Sequence, residues 1–254
     1  METFSIQDLA GDIRGREAKS CIYCGAEKDL TAEHVVPRGI GGNLKLPNAS
    51  CIGCARTILK GFEQETIVSV LQGARLHVGV KRKNRPRNED FIPVWGENSR
   101  KMMLPIKIAP AILFLPQFHP PGLITGFPSG GIVGSFVMRL TSHWHLDNFK
   151  ITPRVVIETK KFVRFIAKIA HGYAFHSFGD SFEPVLNEII MTENTGLPWY
   201  DFIGSNASDC PKTNDLHTLS AEWQKIGDIE YLMISIQLFA RFDTPGYLVV
   251  AGRR

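Results

Sequence analysis

Two CxxC pairs constrain this chain more than any other feature. They are Cys21-Ile22-Tyr23-Cys24 and Cys51-Ile52-Gly53-Cys54, separated by the 26 residues 25–50. Each pair sits on a tight turn, with Gly25 and Gly53 supplying the turn flexibility, and each turn aims two thiolates at one point. Paired CxxC at such spacing is the ligand set of a tetrahedral four-cysteine zinc site, so Cys21, Cys24, Cys51 and Cys54 are expected to hold one structural Zn²⁺. Disulfides are not expected, because the chain reads as cytoplasmic. Its N-terminus, METFSIQDLAGDIRGRE, is polar and carries acids early, unlike a secretory leader. The longest mostly apolar run, Ile108 to Leu115, is interrupted by Pro110 and falls far short of the roughly 20 residues a membrane span needs. Cys210 stands alone in Ser-Asp-Cys-Pro and reads as a loop thiol.

The chain of 254 residues is 44% hydrophobic and 21% charged, which excludes wholesale disorder and leaves room for one large domain or two small ones. Between the cysteine pairs, Leu30 to Val36 reads as a short strand ended by Pro37, and Gly39, Gly41, Gly42 and Asn43 as a flexible loop. Leu44 to Leu46 reads as a second strand, and a helical pattern follows Cys54. This ββα unit has too few apolar residues for a core of its own, so zinc is expected to supply much of its folding energy.

CxxC, then Glu33-His34-Val35-Val36-Pro37, then Gly41-Gly42, then an Asn before a second CxxC resembles the HNH endonuclease family over about residues 18–63. The resemblance implies a ββα-metal finger that hydrolyses a nucleic-acid phosphodiester with a divalent cation, Mg²⁺ or Mn²⁺. It places the general base at His34, a metal carboxylate at Glu33 and an Asn that completes the site at Asn48, with Asn43 as a rival. Those residue types suit the reaction: a neutral histidine takes a proton from water near neutral pH, and a carboxylate holds a cation against the phosphate. Adjacent residues on a strand point to opposite sides, so Glu33 and His34 reach one site only if the chain bends there. The family's last histidine is missing: Ala55, Arg56, Thr57 and Ile58 follow Cys54, and the next His is His77. Glu63 is a candidate to supply a metal carboxylate in its stead.

The net charge of +4 arises wholly within residues 1–89, which hold 14 Lys and Arg against 10 Asp and Glu. No acid lies between Glu65 and Glu89, while Arg75, Lys81, Arg82, Lys83, Arg85 and Arg87 fall in that gap. An anionic partner facing the N-terminal third is expected, with Arg38, Lys81, Arg82, Lys83, Arg85 and Arg87 as its phosphate contacts. Leu59, Phe62, Ile67, Val70 and Leu71 mark a helix from near Leu59 to about His77, with a break at Gly73.

Beyond Asp90 the pattern turns to short strands, at Phe91–Trp95, Met102–Ile108, Ile132–Leu140 and Arg154–Ile157. Six prolines in residues 105–131 suggest a long loop or irregular strands. Phe162, Phe165, Ile166, Ile169, Ala170 and Tyr173 form the stripe of an amphipathic helix, and Phe182–Met191 reads as another helix. Tyr231–Phe242 alternates as a strand, and Tyr247–Ala251 reads as an edge or terminal strand. His143 and His145 share a strand face without further ligands, and Trp95, Trp144, Trp199 and Trp223 read as core or interface residues.

The expected architecture is therefore α+β: a zinc-stapled finger with its trailing helix over 1–78, a basic arm over 79–90, and a larger α+β domain over 91–254 whose options include homodimerisation. The expected activity is HNH-type endonuclease action on nucleic acid, DNA in the first instance. The alternative is a non-catalytic zinc finger that uses the same unit to dock on nucleic acid.

Overall fold

The computed structural model describes residues 2–6, 11–80, 91–95, 101–105, 111–140, 157–206 and 211–254. Lys81, Arg82, Lys83, Arg85 and Arg87, the pair His143 and His145, Trp144, Cys210 and most of the strand expected at Arg154–Ile157 lie outside them.

The N-terminal third is built on three strands and a broken helix. Strands β2 (Ile13–Arg14), β3 (Leu30–His34) and β4 (Leu44–Cys51) form one sheet, with β4 central, antiparallel to β3 and parallel to β2. β4 is longer than the Leu44–Leu46 expected, because Pro47, Asn48 and Ala49 bulge out of register opposite Ala32 before pairing resumes at Ser50. Between β3 and β4 the chain turns so tightly that a Cβ on Gly42 would lie 1.8 Å from the Val36 carbonyl oxygen, so only glycine fits there. Helix α1 (Ile52–Ile58) begins directly after β4, earlier than the hydrophobic spacing suggested. It runs through a π turn at Leu59–Glu63 into α2 (Gln64–Ser69), and the break falls at Val70 and Leu71, before α3 (Gln72–His77).

The rest of the chain is organised around a six-stranded antiparallel sheet. Its order is β1 (Glu2–Ile6), β11 (His217–Ile226), β12 (Ile229–Leu238), β13 (Tyr247–Arg253) and β10 (Ile203–Ser205), with β9 (Glu183–Pro184) also on β13. The alternation read at 231–242 is real: Leu232, Ile234, Ile236 and Leu238 are buried. β13, expected at an edge, lies inside the sheet, and its Tyr247, Val249 and Ala251 join the core. Residues 112–118, expected in a long loop or irregular strands, form β7 (Ile112–Phe118) paired with β8 (Ile132–Arg139), with an irregularity at Gln117 and Phe118. Pro116 is tolerated in that two-stranded ribbon, and its carbonyl accepts from the Tyr247 hydroxyl at 2.8 Å. Two further strands, β5 (Phe91–Trp95) and β6 (Lys101–Pro105), make a separate hairpin. Of the helix expected over 182–191, only α6 (Asn187–Met191) is helical. Short helices α4 (Gly122–Thr125) and α7 (Trp199–Phe202) complete the described elements.

The longest helix, α5 (Thr159–Phe178), joins the two parts. One side packs on β11, β12 and β13, and the other meets the π turn, α2 and α6. Everything from Phe162 to Phe175 is buried, so its apolar stripe is only half the story. Lys161, Arg164, Lys168 and His171, spaced three, four and three apart, form a second stripe that faces the N-terminal unit. One contiguous core therefore runs from Ala18 to Ala251. Among the described residues no helix is long and apolar enough to cross a membrane.

Candidate functional site

Local geometry brings the four cysteines together as their spacing predicted. The Cys21 turn is closed by bonds from the Cys21 amide to the Ala26 carbonyl and from the Gly25 amide to the Cys21 carbonyl, both 2.8 Å, with Gly25 at φ 77°. The second pair straddles the start of α1, where Cys51 is the N-cap and its sulfur accepts from the Cys54 amide at 3.4 Å. That hydrogen bond lowers the Cys51 thiol to about 7. The four sulfurs lie within 4.8 Å of one another, and Cys24 Sγ is 3.7 Å from Cys51 Sγ. Zinc–sulfur bonds of about 2.3 Å at tetrahedral angles need sulfurs about 3.8 Å apart. The four cysteines can hold a metal ion, zinc by their chemistry, in a zinc-binding finger.

Glu33 and His34 lie on opposite faces of β3, and the strand does not bend enough to unite them. His34 pairs across the sheet with Lys45, so the two side chains share a face. His34 Nε2 is 3.5 Å from Asp12 Oδ1, an electrostatic contact rather than a full hydrogen bond. The other oxygen of Asp12 lies 3.8 Å from the Arg38 guanidinium and 4.0 Å from Lys45 Nζ. Burial pushes the His34 pKa below its ordinary 6.5; Asp12 pulls it back up, and the charge of Lys168 lowers it further. The imidazole is therefore neutral at neutral pH. A carboxylate facing Nε2 favours the tautomer protonated there, which leaves Nδ1 as the basic atom.

On the other face, Glu33 is buried and its Oε1 lies 2.7 Å from Lys168 Nζ. Glu63, carried inward by the π turn, lies 3.3 Å from the same ammonium. Lys168 is 1% exposed. Burial pushes its pKa down, but the charges of Glu33 and Glu63 more than offset this and hold the group above its usual value. Tyr23 lies in the same layer; burial and the two carboxylates raise its pKa well above the ordinary range.

The two asparagines sit elsewhere. Asn48 is exposed on the β4 bulge at φ 55°, a left-handed position that asparagine tolerates, and donates to Glu17 Oε1 at 2.9 Å. Asn43 is buried, and its carbonyl accepts from the Ile13 amide at 2.7 Å. The donors expected to hold a catalytic cation, Glu33 and Asn48, thus do not converge: one is paired to a buried ammonium and the other faces a different carboxylate.

Sequence reasoning passed over Asp12, Lys45 and Lys168. Nothing local marks Asp12, which lies 22 residues before His34 in no motif. Lys168 had a signal in the polar stripe of α5. Trp199 and Trp223 pack as expected, on Phe118 at 5.2 Å and on Phe178 at 5.6 Å. Comparison with protein-family models, with curated proteins and with solved structures finds no match to this chain.

Proposed function

We propose that the protein is an HNH-type endonuclease whose working face is the His34 side of the finger. One observation carries this reading: a neutral, half-buried imidazole beside a carboxylate, with the cations Arg38 and Lys45 on the same open face. The chemistry such a face can support is hydrolysis of a phosphodiester. Arg38 and Lys45 contact the non-bridging oxygens, as Asp12 now engages them, and His34 Nδ1 takes the proton of the attacking water as its oxygen bonds to phosphorus; the P–O bond to the leaving oxygen breaks, and that oxygen takes a proton from solvent. Asp12 orients the ring and stabilises the imidazolium that forms. A divalent cation would supply charge neutralisation at the phosphate, but Glu33 and Asn48, the residues expected to hold it, do not converge on one site. The basic residues Lys81, Arg82, Lys83, Arg85 and Arg87 extend the phosphate-binding surface in this reading, and DNA is the substrate proposed.

A second reading is a finger that binds nucleic acid without cutting it. It is favoured by the engagement of Glu33 and Glu63 with Lys168 and by the absent histidine after Cys54. One experiment separates the two. Supercoiled plasmid and a structured RNA are incubated with the zinc-loaded protein in Mg²⁺, Mn²⁺, Co²⁺, Ni²⁺ or chelator too weak to remove zinc, with gel-shift binding measured in parallel. Cleavage that disappears in His34→Ala while binding persists supports the nuclease. Binding without cleavage under every condition gives the binding module. Arg38→Ala with Lys45→Ala should weaken binding in either case and reduce its salt dependence by about two charges.

A further inference from the structure

The environment of Lys168 has the composition of a metal site. Its Nζ meets a carboxylate oxygen of Glu33 at 2.7 Å, a carboxylate oxygen of Glu63 at 3.3 Å, the His34 carbonyl at 2.5 Å and the Val35 carbonyl at 3.4 Å. Two carboxylates and two main-chain carbonyls around one buried positive centre are the oxygen-rich set a hard divalent cation selects. The two segments that supply these oxygens and the helix that supplies the ammonium are held independently. β3 is paired with β4, Glu63 is turned inward by the π segment, and α5 is packed on the large sheet.

We propose that Lys168 is a built-in cation that takes the place of a metal ion between Glu33 and Glu63 and, through the His34 and Val35 carbonyls, positions the strand segment that carries His34. An ammonium tethered to the middle of a helix anchored in another layer cannot dissociate, so the carboxylates are neutralised whatever the metal supply. The bond to the His34 carbonyl sets where the His34 ring starts, on the opposite face, toward Asp12, Arg38 and Lys45. Lys168 is thus a positioning residue, acting through the backbone and through its charge. The inference rests on His34 as the working group of the site, and its test uses no cleavage assay, so failure of one does not count as failure of the other.

The test is NMR of the full-length, zinc-loaded chain with Mn²⁺ as a paramagnetic probe. In the wild type, millimolar Mn²⁺ should leave the amide signals of Gly61, Phe62 and Glu63 unbroadened. In Lys168→Met the same signals should broaden and Mn²⁺ should raise Tm, because the vacated oxygens can take a cation. The His34 Cε1–H signal should titrate at higher pH in Lys168→Met, since a positive charge is lost while Asp12, Glu33 and Glu63 stay and Arg38 and Lys45 are unchanged. Should Lys168→Met fail to fold, the triple variant Lys168→Met, Glu33→Gln, Glu63→Gln carries no unpaired charge, and there the His34 signal should move from its wild-type shift. Mn²⁺ broadening at Gly61–Glu63 in the wild type overturns the proposal. So does a folded variant whose His34 signal and titration match the wild type.

Discussion

Glu33 and His34 are neighbours in the chain and opposites in the fold. The carboxylate of Glu33 faces inward to a lysine that is 1% exposed, and its value is structural: it neutralises a charge that could not otherwise be buried. The imidazole of His34 faces Asp12 at 3.5 Å, and the other oxygen of Asp12 lies 3.8 Å from Arg38 and 4.0 Å from Lys45, all of them loose contacts. A strand separates the two by pleat alone. A motif read as one unit is here divided between a buried ion pair with α5 and a partly exposed imidazole on the opposite face.

The largest effect expected is from zinc removal, which tests whether the outward face can exist without the cysteines. Structural zinc is worth about 10 kcal/mol or more in small fingers. Chelation should unfold residues 18–63 and abolish any nucleic-acid binding, with zinc content and circular dichroism as the measurements. Protein purified without chelator that carries no zinc would remove the premise.

Next in size is the contrast between the neighbours themselves. Glu33→Ala leaves a buried ammonium with one partner fewer and should cost on the order of 3 kcal/mol in urea unfolding. His34→Ala should cost less than about 1 kcal/mol but lower any cleavage by about two powers of ten or more. A Glu33→Ala protein of normal stability that needs more divalent metal would make Glu33 a metal ligand and collapse the distinction.

The smallest effect per group is in pH. Two imidazoles of the C-terminal part pin the finger from beneath: His171 Nε2 lies 2.8 Å from the Ile22 carbonyl and His217 Nε2 2.9 Å from the Ile40 carbonyl. Burial lowers both from 6.5 to about 4. The unfolded chain therefore takes up protons first as pH falls, so stability is full above about pH 6.5 and declines down to about 4. At pH 5 the loss is about 2 kcal/mol per histidine. Urea midpoints at pH 7 and pH 5 measure it, and His171→Asn with His217→Asn should flatten the difference.

What could be read from the sequence was local. The zinc ligands lie on two turns whose chemistry is complete within four residues each, and β12 and α5 declare themselves by periodicity. What was left open or misread shares one cause, pairing at long range. The choice between loop and irregular strand at β7 is decided by β8 and by the Tyr247 hydroxyl, which donates to the Pro116 carbonyl. β13 is interior because β10 and β9 lie beyond it. Lys168 finds its partners up to 135 residues away in the chain, and a cation on the polar stripe of α5 looks like a solvated one until those partners are in place.

The pairing of residues 2–6 with 217–221 has a consequence for biosynthesis. A ribosome adds about 5–20 residues per second, so the first strand waits on the order of ten seconds or more for its partner. Ile40 waits equally for His217, and the finger for Lys168 and His171. During that interval the pairing of β2, β3 and β4 and the four-cysteine site are the order already encoded in the emerged chain. Loading the metal early would therefore protect an unpaired strand and an uncapped finger from pairing with neighbouring chains. Metal starvation during growth would then appear first as aggregation of newly made protein, before any loss from the folded pool.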